Sequence, residues 1–383
     1  MSVTHPAGFA ATGLAAGIKA SGRSDLALVV NLGPSSTAAG VFTTNRVKAA
    51  PVLWSEQVLQ TGALRAVVLN SGGANACTGP DGFADTHRTA ELVAAGLDLG
   101  AIDVAVCSTG LIGVRLPMDK IESAVEPLIA ALSADGGDAA AHAIMTTDTV
   151  TKQAVYEADG WSVGGMAKGA AMLAPGLATM LVVLTTDAVV EPAVLHDQLA
   201  AACRVSFERV DSDGCMSTND TVLALSSGAS GIAPDAAELG RALTAVCTHL
   251  ALQLLADAEG SAHTITITVR TAASVDDALE VGRSIARNNL LKCAIFGRDP
   301  NWGRVLAAIG TTGAEFEPDR LDVAFNGVPV CRAGGIGADR ALVDLAPRAV
   351  AIDVDLHAGE AEATIWTNDL TYDYVRENAE YST

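Results

Sequence analysis

The sequence predicts an α/β protein. Apolar, β-branched runs of strand length recur along the chain, and helical patterns lie between them. Small aliphatic residues and 37 glycines outweigh an aromatic content of 4%, so the cores must be built from Ala, Val, Leu and Ile with close backbone contacts.

In chain order, Leu26–Val30 and Ala66–Leu69 are short continuous apolar runs and read as strands. Thr89–Leu97 has helical spacing, and Val104–Val106 is a further short run. Met118–Leu132 reads as a helix, and the small, polar stretch Ala134–Ala141 as a surface loop. Met180–Thr185 is the next strand, followed by helical patterns over Ala193–Cys203 and Ala236–Ala258. After the strand Thr264–Val269, Val275–Leu291 reads as a helix with a clear start. Ser274 can cap it, and Asp276 and Asp277 suit the positive end of the helix dipole. Ala349–Val354 is the last of these strands. No repeat of fixed period is visible.

The 383 residues imply two core-forming units or one large α/β body. A net charge of −20 repels a phosphate backbone, which excludes nucleic acid as a partner. No lysine or arginine precedes Lys19, so the charged start of a secretory signal is missing. No uninterrupted apolar stretch approaches the ~20 residues of a membrane helix. The seven cysteines are scattered without a CxxC pair, which argues against a zinc site and a disulfide framework. Each is expected to be a small buried apolar residue, in a reducing cytoplasm.

Nucleotide-binding motifs are missing: no GxGxxG joins a strand to a helix, and no GxxxxGK[ST] occurs. Gly164-Gly165-Met166-Ala167-Lys168-Gly169 has the wrong order for a phosphate loop. HExxH is missing too, and Asp211-Ser212-Asp213-Gly214 lacks the glutamate and glycine placement of a calcium loop. None of these segments points to a nucleotide or a metal.

The most informative segment is Lys168–Leu181. Pro175-Gly176 signals a turn shortly before Thr179, and the apolar run from Met180 follows. Thr179 therefore stands where a loop becomes a buried strand. One reading is a turn entering a core strand. In the other, a cut between Ala178 and Thr179 gives the threonine an α-amine, which titrates near about 8 and can serve its own hydroxyl as base. Three other segments bear on the choice. Cys107-Ser108-Thr109-Gly110 sits at a strand end, as an ordinary strand-to-helix turn or as an oxyanion site. Thr146-Thr147-Asp148-Thr149 suits capping or the grip of a polar ligand. Lys168 is a solvated side chain or a fixed charge for a carboxylate, and Glu259-Gly260 places an anion at the unfavourable end of a helix.

Along nearly its whole length the chain resembles the glutamate N-acetyltransferases, or ornithine acetyltransferases, of arginine biosynthesis. The matches run in order through Phe42–Arg46, Asn70–Gly79, Ser108–Gly113 and Met145–Thr149. They continue through Lys168–Leu181, Asp213–Thr221, Asp257–Gly260 and Gly297–Arg304. The resemblance implies a self-processing, N-terminal-nucleophile-like layered sandwich shared with related aminopeptidases. It implies cleavage between Ala178 and Thr179 into an α chain, 1–178, and a β chain, 179–383. The freed Thr179 would take an acetyl group from N-acetylornithine and pass it to glutamate. Thr109 and Gly110 would form the oxyanion hole. Thr146, Lys168, Thr179, Glu259, Asn378 and Thr383 would contact substrate. An assembly of two α and two β chains is implied, and use of acetyl-CoA as a second donor is left open. The resemblance also implies that no metal or organic cofactor is needed.

Three departures stand out. The family usually has glycine where this chain has Ala171, often asparagine at Gly176, and commonly asparagine at Gly73. Ala171 would resist a positive φ and so bear on the ease of cleavage. The rival readings are a self-cleaving aminopeptidase that delivers the acyl group to water, and an α/β binding protein that never cleaves.

Overall fold

The computed structural model describes residues 2–174 and 180–380. The chain forms two compact units, one of Met1–Glu208 with Cys215–Leu254, the other of Arg209–Gly214 with Leu255–Ser382.

The first unit runs β1 (Phe9–Leu14), β2 (Leu26–Asn31), β3 (Ala38–Phe42), α1 (Ala50–Val58), β4 (Ala66–Ser71), α2 (Gly79–Leu97), β5 (Val104–Thr109), α3 (Met118–Ala130) and α4 (Gly137–Ala143). It continues through β6 (Lys152–Glu157), β7 (Ser162–Lys168), β8 (Leu181–Thr186), α5 (Pro192–Val205), β9 (Thr221–Ser226) and α6 (Ala236–Ala256). These strands form one sheet in the order β1-β2-β4-β5 and another in the order β3-β9-β8-β7-β6. The pairs β4–β5 and β8–β9 are parallel, the others antiparallel. Every residue of β2, β4, β5, β7, β8 and β9 is buried. Strands covered on both faces need no polar alternation, so most of them read as plain apolar runs.

β5 is an edge strand, and its outer edge is sealed by side chains. Trp54 Nε1 donates to the Val104 carbonyl at 3.0 Å. Ser55 Oγ donates to the Val106 carbonyl at 2.8 Å and accepts the Val106 amide at 3.0 Å. Asn219 Nδ2 donates to the Ser108 carbonyl at 2.8 Å. No ladder partner is needed on that side, and the strand end is fixed.

β7 has no clear strand signal in the sequence, because Gly164 and Gly165 dilute it. Both glycines are sites of close approach: a Cβ at Gly164 would lie 2.3 Å from the Ser2 carbonyl oxygen, and one at Gly165 would meet Leu184, Val246 and Leu250. That packing explains α6, the one described helix whose length and composition would let it cross a membrane. Glu238, Arg241 and His249 interrupt it, and its apolar side, including Val246 and Leu250, is buried in the unit.

The second unit runs β10 (Thr264–Ala272), α7 (Val275–Ala286), α8 (Asn289–Phe296), α9 (Trp302–Ile309), β11 (Asp322–Phe325), β12 (Val328–Arg332), β13 (Gly335–Ile336), β14 (Ala349–Asp355), β15 (Ala361–Asn368) and α10 (Tyr372–Glu380). Its sheet order is β13-β12-β11-β14-β10-β15, with β10–β14 parallel. Ile265, Ile267 and Val269 alternate inward and share a core with Val281 and Ile285 of α7.

Several expectations are corrected. Val275–Leu291 is two helices, because Asn288 accepts the Leu291 amide at 3.0 Å and caps α8. The Ser274 cap is found, accepting the Asp277 amide at 3.1 Å. Ala134–Ala141 is largely helical: Ala140, Ala141 and Ala143 of α4 are buried, and alanine is the strongest helix former. Cys77, Cys215 and Cys293 are exposed rather than buried. The tail is helical through Glu380. The expected 178/179 junction falls in sequence between β7 and β8, neighbours in one sheet, so the division into α and β chains is a different one from the division into compact units.

Gly13 of β1 lies under α4, where a Cβ would come 2.2 Å from the Ala139 carbonyl oxygen and 2.8 Å from the Ala143 Cβ. Gly13→Ala is expected to lower stability by about 1–3 kcal/mol in urea unfolding; an unchanged midpoint would show that α4 can move away freely.

Candidate active site

The site is built where β5 ends. Thr109 is the last residue of that strand and is buried. Its carbonyl accepts the amides of Gly72 at 2.9 Å and Gly73 at 3.0 Å, so the loop after β4 folds over it. Gly110 has φ +131°, and a Cβ there would lie 2.5 Å from the Gly73 nitrogen. Only glycine fits that position. Asn70 Oδ1 accepts Ser108 Oγ at 2.5 Å, locking the two parallel strand ends together.

Lys168 ends β7 and is buried, not solvated. Its Nζ donates to Thr109 Oγ1 at 3.2 Å. An ammonium has no acceptor, so the threonine oxygen must accept and its own hydrogen is left to donate elsewhere. The pair therefore turns Thr109 into a directed O–H donor beside a positive charge. That is what an oxyanion needs.

Asp148 holds the surroundings. Its Oδ1 accepts Lys152 Nζ at 2.6 Å and the Gly169 amide at 2.7 Å. Its Oδ2 accepts the Thr146 amide at 2.9 Å, with Thr146 Oγ1 at 3.5 Å. Burial alone would raise the carboxyl, but the charges of Lys168 and Lys152 and the Lys152 and Gly169 bonds outweigh it, holding it at about 2. The Thr146–Thr149 run caps no helix, since β6 is the next element. It ties Thr146 to the backbone that follows Lys168.

Two cations escaped the sequence reading. Lys19 Nζ donates to the carbonyls of Met145 at 2.6 Å and Ser24 at 2.9 Å. Burial first, then Arg23, lowers it to about 8. Lys152 is fully buried although it opens a partly exposed strand. No local pattern marks either one; only the fold brings them to Asp148 and Met145.

The remaining expected residues are distributed as follows. Glu259 is buried in the second unit, in a turn beyond the end of α6 at Ala256, so the clash of an anion with a helix end does not arise. The Gly260 carbonyl accepts Thr371 Oγ1 at 2.6 Å, and a Cβ at Gly260 would lie 2.2 Å from the Tyr374 nitrogen. The Glu259 turn therefore packs against the start of α10, which also carries Asn378. Asn378 is exposed and donates from Nδ2 to the Tyr374 carbonyl at 3.0 Å. Ala178, Thr179 and Thr383 lie outside the described residues, as does Gly176. Ala171 does not have a positive φ; the residue that does is Met172, at +54°. Asp211 of the calcium-like run accepts Arg287 Nε at 2.7 Å, and the described residues hold no His, Cys, Asp or Glu cluster suited to a metal.

The depressed pKa of Asp148 makes a stability prediction. A carboxyl held at about 2 against an ordinary 3.8 stabilises the fold above its ordinary value and loses that contribution as pH falls through about 2. Urea unfolding across that range is expected to show about 2 kcal/mol of pH-dependent stability that Asp148→Asn lacks. Parallel curves for the two proteins would contradict the assignment.

A model of the ArgJ family matches residues 10–383. The arginine biosynthesis bifunctional protein ArgJ of Streptomyces coelicolor is 66% identical over 382 residues, covering 100% of both chains. That of Thermobifida fusca is 61% identical over 383 residues, again covering 100% of both. Among solved structures, the ornithine acetyltransferase of Mycobacterium tuberculosis complexed with ornithine is 64% identical, covers 47% of this chain and 96% of that chain, and has a TM-score of 0.45. With the family matched over nearly its full length, this chain belongs to the ArgJ family.

Proposed function

We propose that this acyltransferase of arginine biosynthesis moves an acetyl group from N-acetylornithine to glutamate through an ester on Thr179. The observation that carries the reading is the buried Lys168–Thr109 pair, an O–H donor and a cation that converge from two sheets. Nothing in a purely structural strand end requires that pairing. Thr109 and Gly110 donate to the oxyanion, and Thr146, Lys168, Glu259, Asn378 and Thr383 contact the substrate.

Processing comes first. Thr179 Oγ attacks the Ala178 carbonyl, the Thr179 nitrogen leaves with a proton, and an ester joins Ala178 to the hydroxyl. Water hydrolyses that ester, giving a carboxylate on Ala178 and a free α-amine on Thr179. In turnover that amine takes the Oγ proton while the oxygen attacks the acetyl carbonyl. The tetrahedral oxyanion forms at the Thr109 and Gly110 donors. Collapse hands the proton to the departing ornithine amine and leaves acetyl-Thr179. Glutamate then enters, its amine attacks the ester, and N-acetylglutamate leaves.

Both substrates carry an α-amino-acid head, so one set of contacts serves both half-reactions. The curated relatives are called bifunctional, and acetyl-CoA as a second donor to the same ester is the matching reading here. The cut ends stay joined because β7 and β8 pair along Val163–Lys168 and Leu181–Thr186. Two such α/β pairs make the assembly, and a cysteine set without a CxxC pair suits a reducing cytoplasm.

Denaturing electrophoresis is expected to show two chains for the parent and one uncut, inactive chain for Thr179→Ala. A single band for the parent, or transfer by Thr179→Ala, would refute the nucleophile. N-acetylornithine with glutamate should react faster than peptide amides with water; the reverse order would favour an aminopeptidase. Acetyl-CoA with glutamate alone tests the second donor.

A further inference from the structure

Asp220 stands immediately before β9 and is fully buried. Its carboxyl points at the start of β8. Oδ1 accepts the Met180 amide at 3.1 Å, and the next amide, of Thr221, donates to the Met180 carbonyl at 3.2 Å. Asp220 is itself anchored, since its carbonyl accepts the Thr43 amide at 3.0 Å. In a continuing parallel ladder the Met180 amide would bond the Asn219 carbonyl. That carbonyl instead accepts Thr221 Oγ1 at 3.0 Å. The Asp220 side chain has taken over the last rung.

The arrangement is expensive. Oδ2 is buried without a hydrogen-bond partner among the described residues. Burial pushes the carboxyl well above the usual range, outweighing the Met180 amide, Ser217 and Lys168. A neutral acid in such a place is a carbonyl acceptor with one O–H donor. An unsatisfied buried group in a native fold calls for a reason, and Met180, whose amide Asp220 accepts, directly follows Thr179 in the chain. Met180 supplies the nitrogen of the Thr179–Met180 peptide, and a planar peptide unit transmits the position of its N–H to the preceding Cα.

We propose that Asp220 is a positioning residue for Thr179, acting through the Met180 amide in both chain cleavage and acetyl transfer. The inference rests on the reading of Thr179 as nucleophile. It gives Asp220, within the Asp213–Thr221 segment, a role of its own: the strand behind the nucleophile must be pinned by a side chain, not by the ladder.

The test uses the full chain with Asp220→Ala and Asp220→Asn, following the cleavage rate by denaturing electrophoresis, then kcat and KM of the processed enzyme. Asparagine reproduces the acceptor and a donor, so Asp220→Asn is expected to stay within about threefold of the parent in both reactions. Asp220→Ala is expected to cleave and transfer about 10²-fold more slowly in kcat, with KM changed less than about twofold. Should Asp220→Ala fail to fold by circular dichroism, Asp220→Ser, with an oxygen of shorter reach, is expected to fold and show the same kcat loss. Parental kcat in the alanine or serine variant, a loss confined to KM, or an asparagine variant as slow as alanine would overturn the proposal. If the parent itself is uncut and Thr179→Ala transfers normally, the nucleophile reading fails independently of Asp220. If the parent is cut and Thr179→Ala is inactive, the Asp220 comparison alone decides.

Discussion

A buried ammonium organises the first unit. Lys168 ends a strand of the five-stranded sheet and donates to Thr109, which ends a strand of the four-stranded sheet. An amine removed from water needs an opposing charge nearby. Asp148 supplies it and stays ionised because Lys168 and Lys152 together outweigh its burial. The same carboxylate grips the Gly169 and Thr146 amides. One cluster of charge thus sets two strand ends and the loop before β6. Loosening it would move the donor, the cation and Thr146 together.

The scaffold around this cluster serves to keep it still. The outer edge of β5 is closed by Trp54, Ser55 and Asn219, so the strand that presents Thr109 cannot slide or pair elsewhere. Gly110 leaves the space that the Gly73 amide occupies. These contacts join residues far apart in sequence, and each acts on the direction of one O–H bond. On the proposed reading of Thr109 as an oxyanion donor, a donor preorganised in this way stabilises charge as it develops, without reorganising during the reaction.

Much of this was legible in the chain, for a physical reason. Strands buried on both faces have continuous apolar sequences, so β2, β4, β5 and β8 could be read directly. β7 could not, because Gly164 and Gly165 are chosen for close approach rather than for strand propensity. The sequence of α4 reads as a loop because glycine and aspartate around Ala139–Ala141 mask a good helix former. Lys168 and Lys152 carry no local sign of burial; their environment comes from elements that the fold assembles. Ala171 drew attention as a substitution for glycine, yet the positive φ falls on Met172. The family resemblance gave site roles to Thr109, Gly110, Thr146 and Lys168; Asp148 stands in the same Met145–Thr149 motif, but nothing local shows that it links them.

The proposed 178/179 junction falls in sequence between the paired strands β7 and β8, not at a boundary between units. Cutting there would free an amine without dismantling the sheet, which is the condition the chemistry sets. The most direct measurement is the intact mass of the 179–383 chain after exposure to N-acetylornithine in the absence of glutamate. The account predicts one added acetyl group, located on the Thr179 side chain by fragmentation and lost when glutamate is supplied. An unmodified chain that still forms N-acetylglutamate would contradict it.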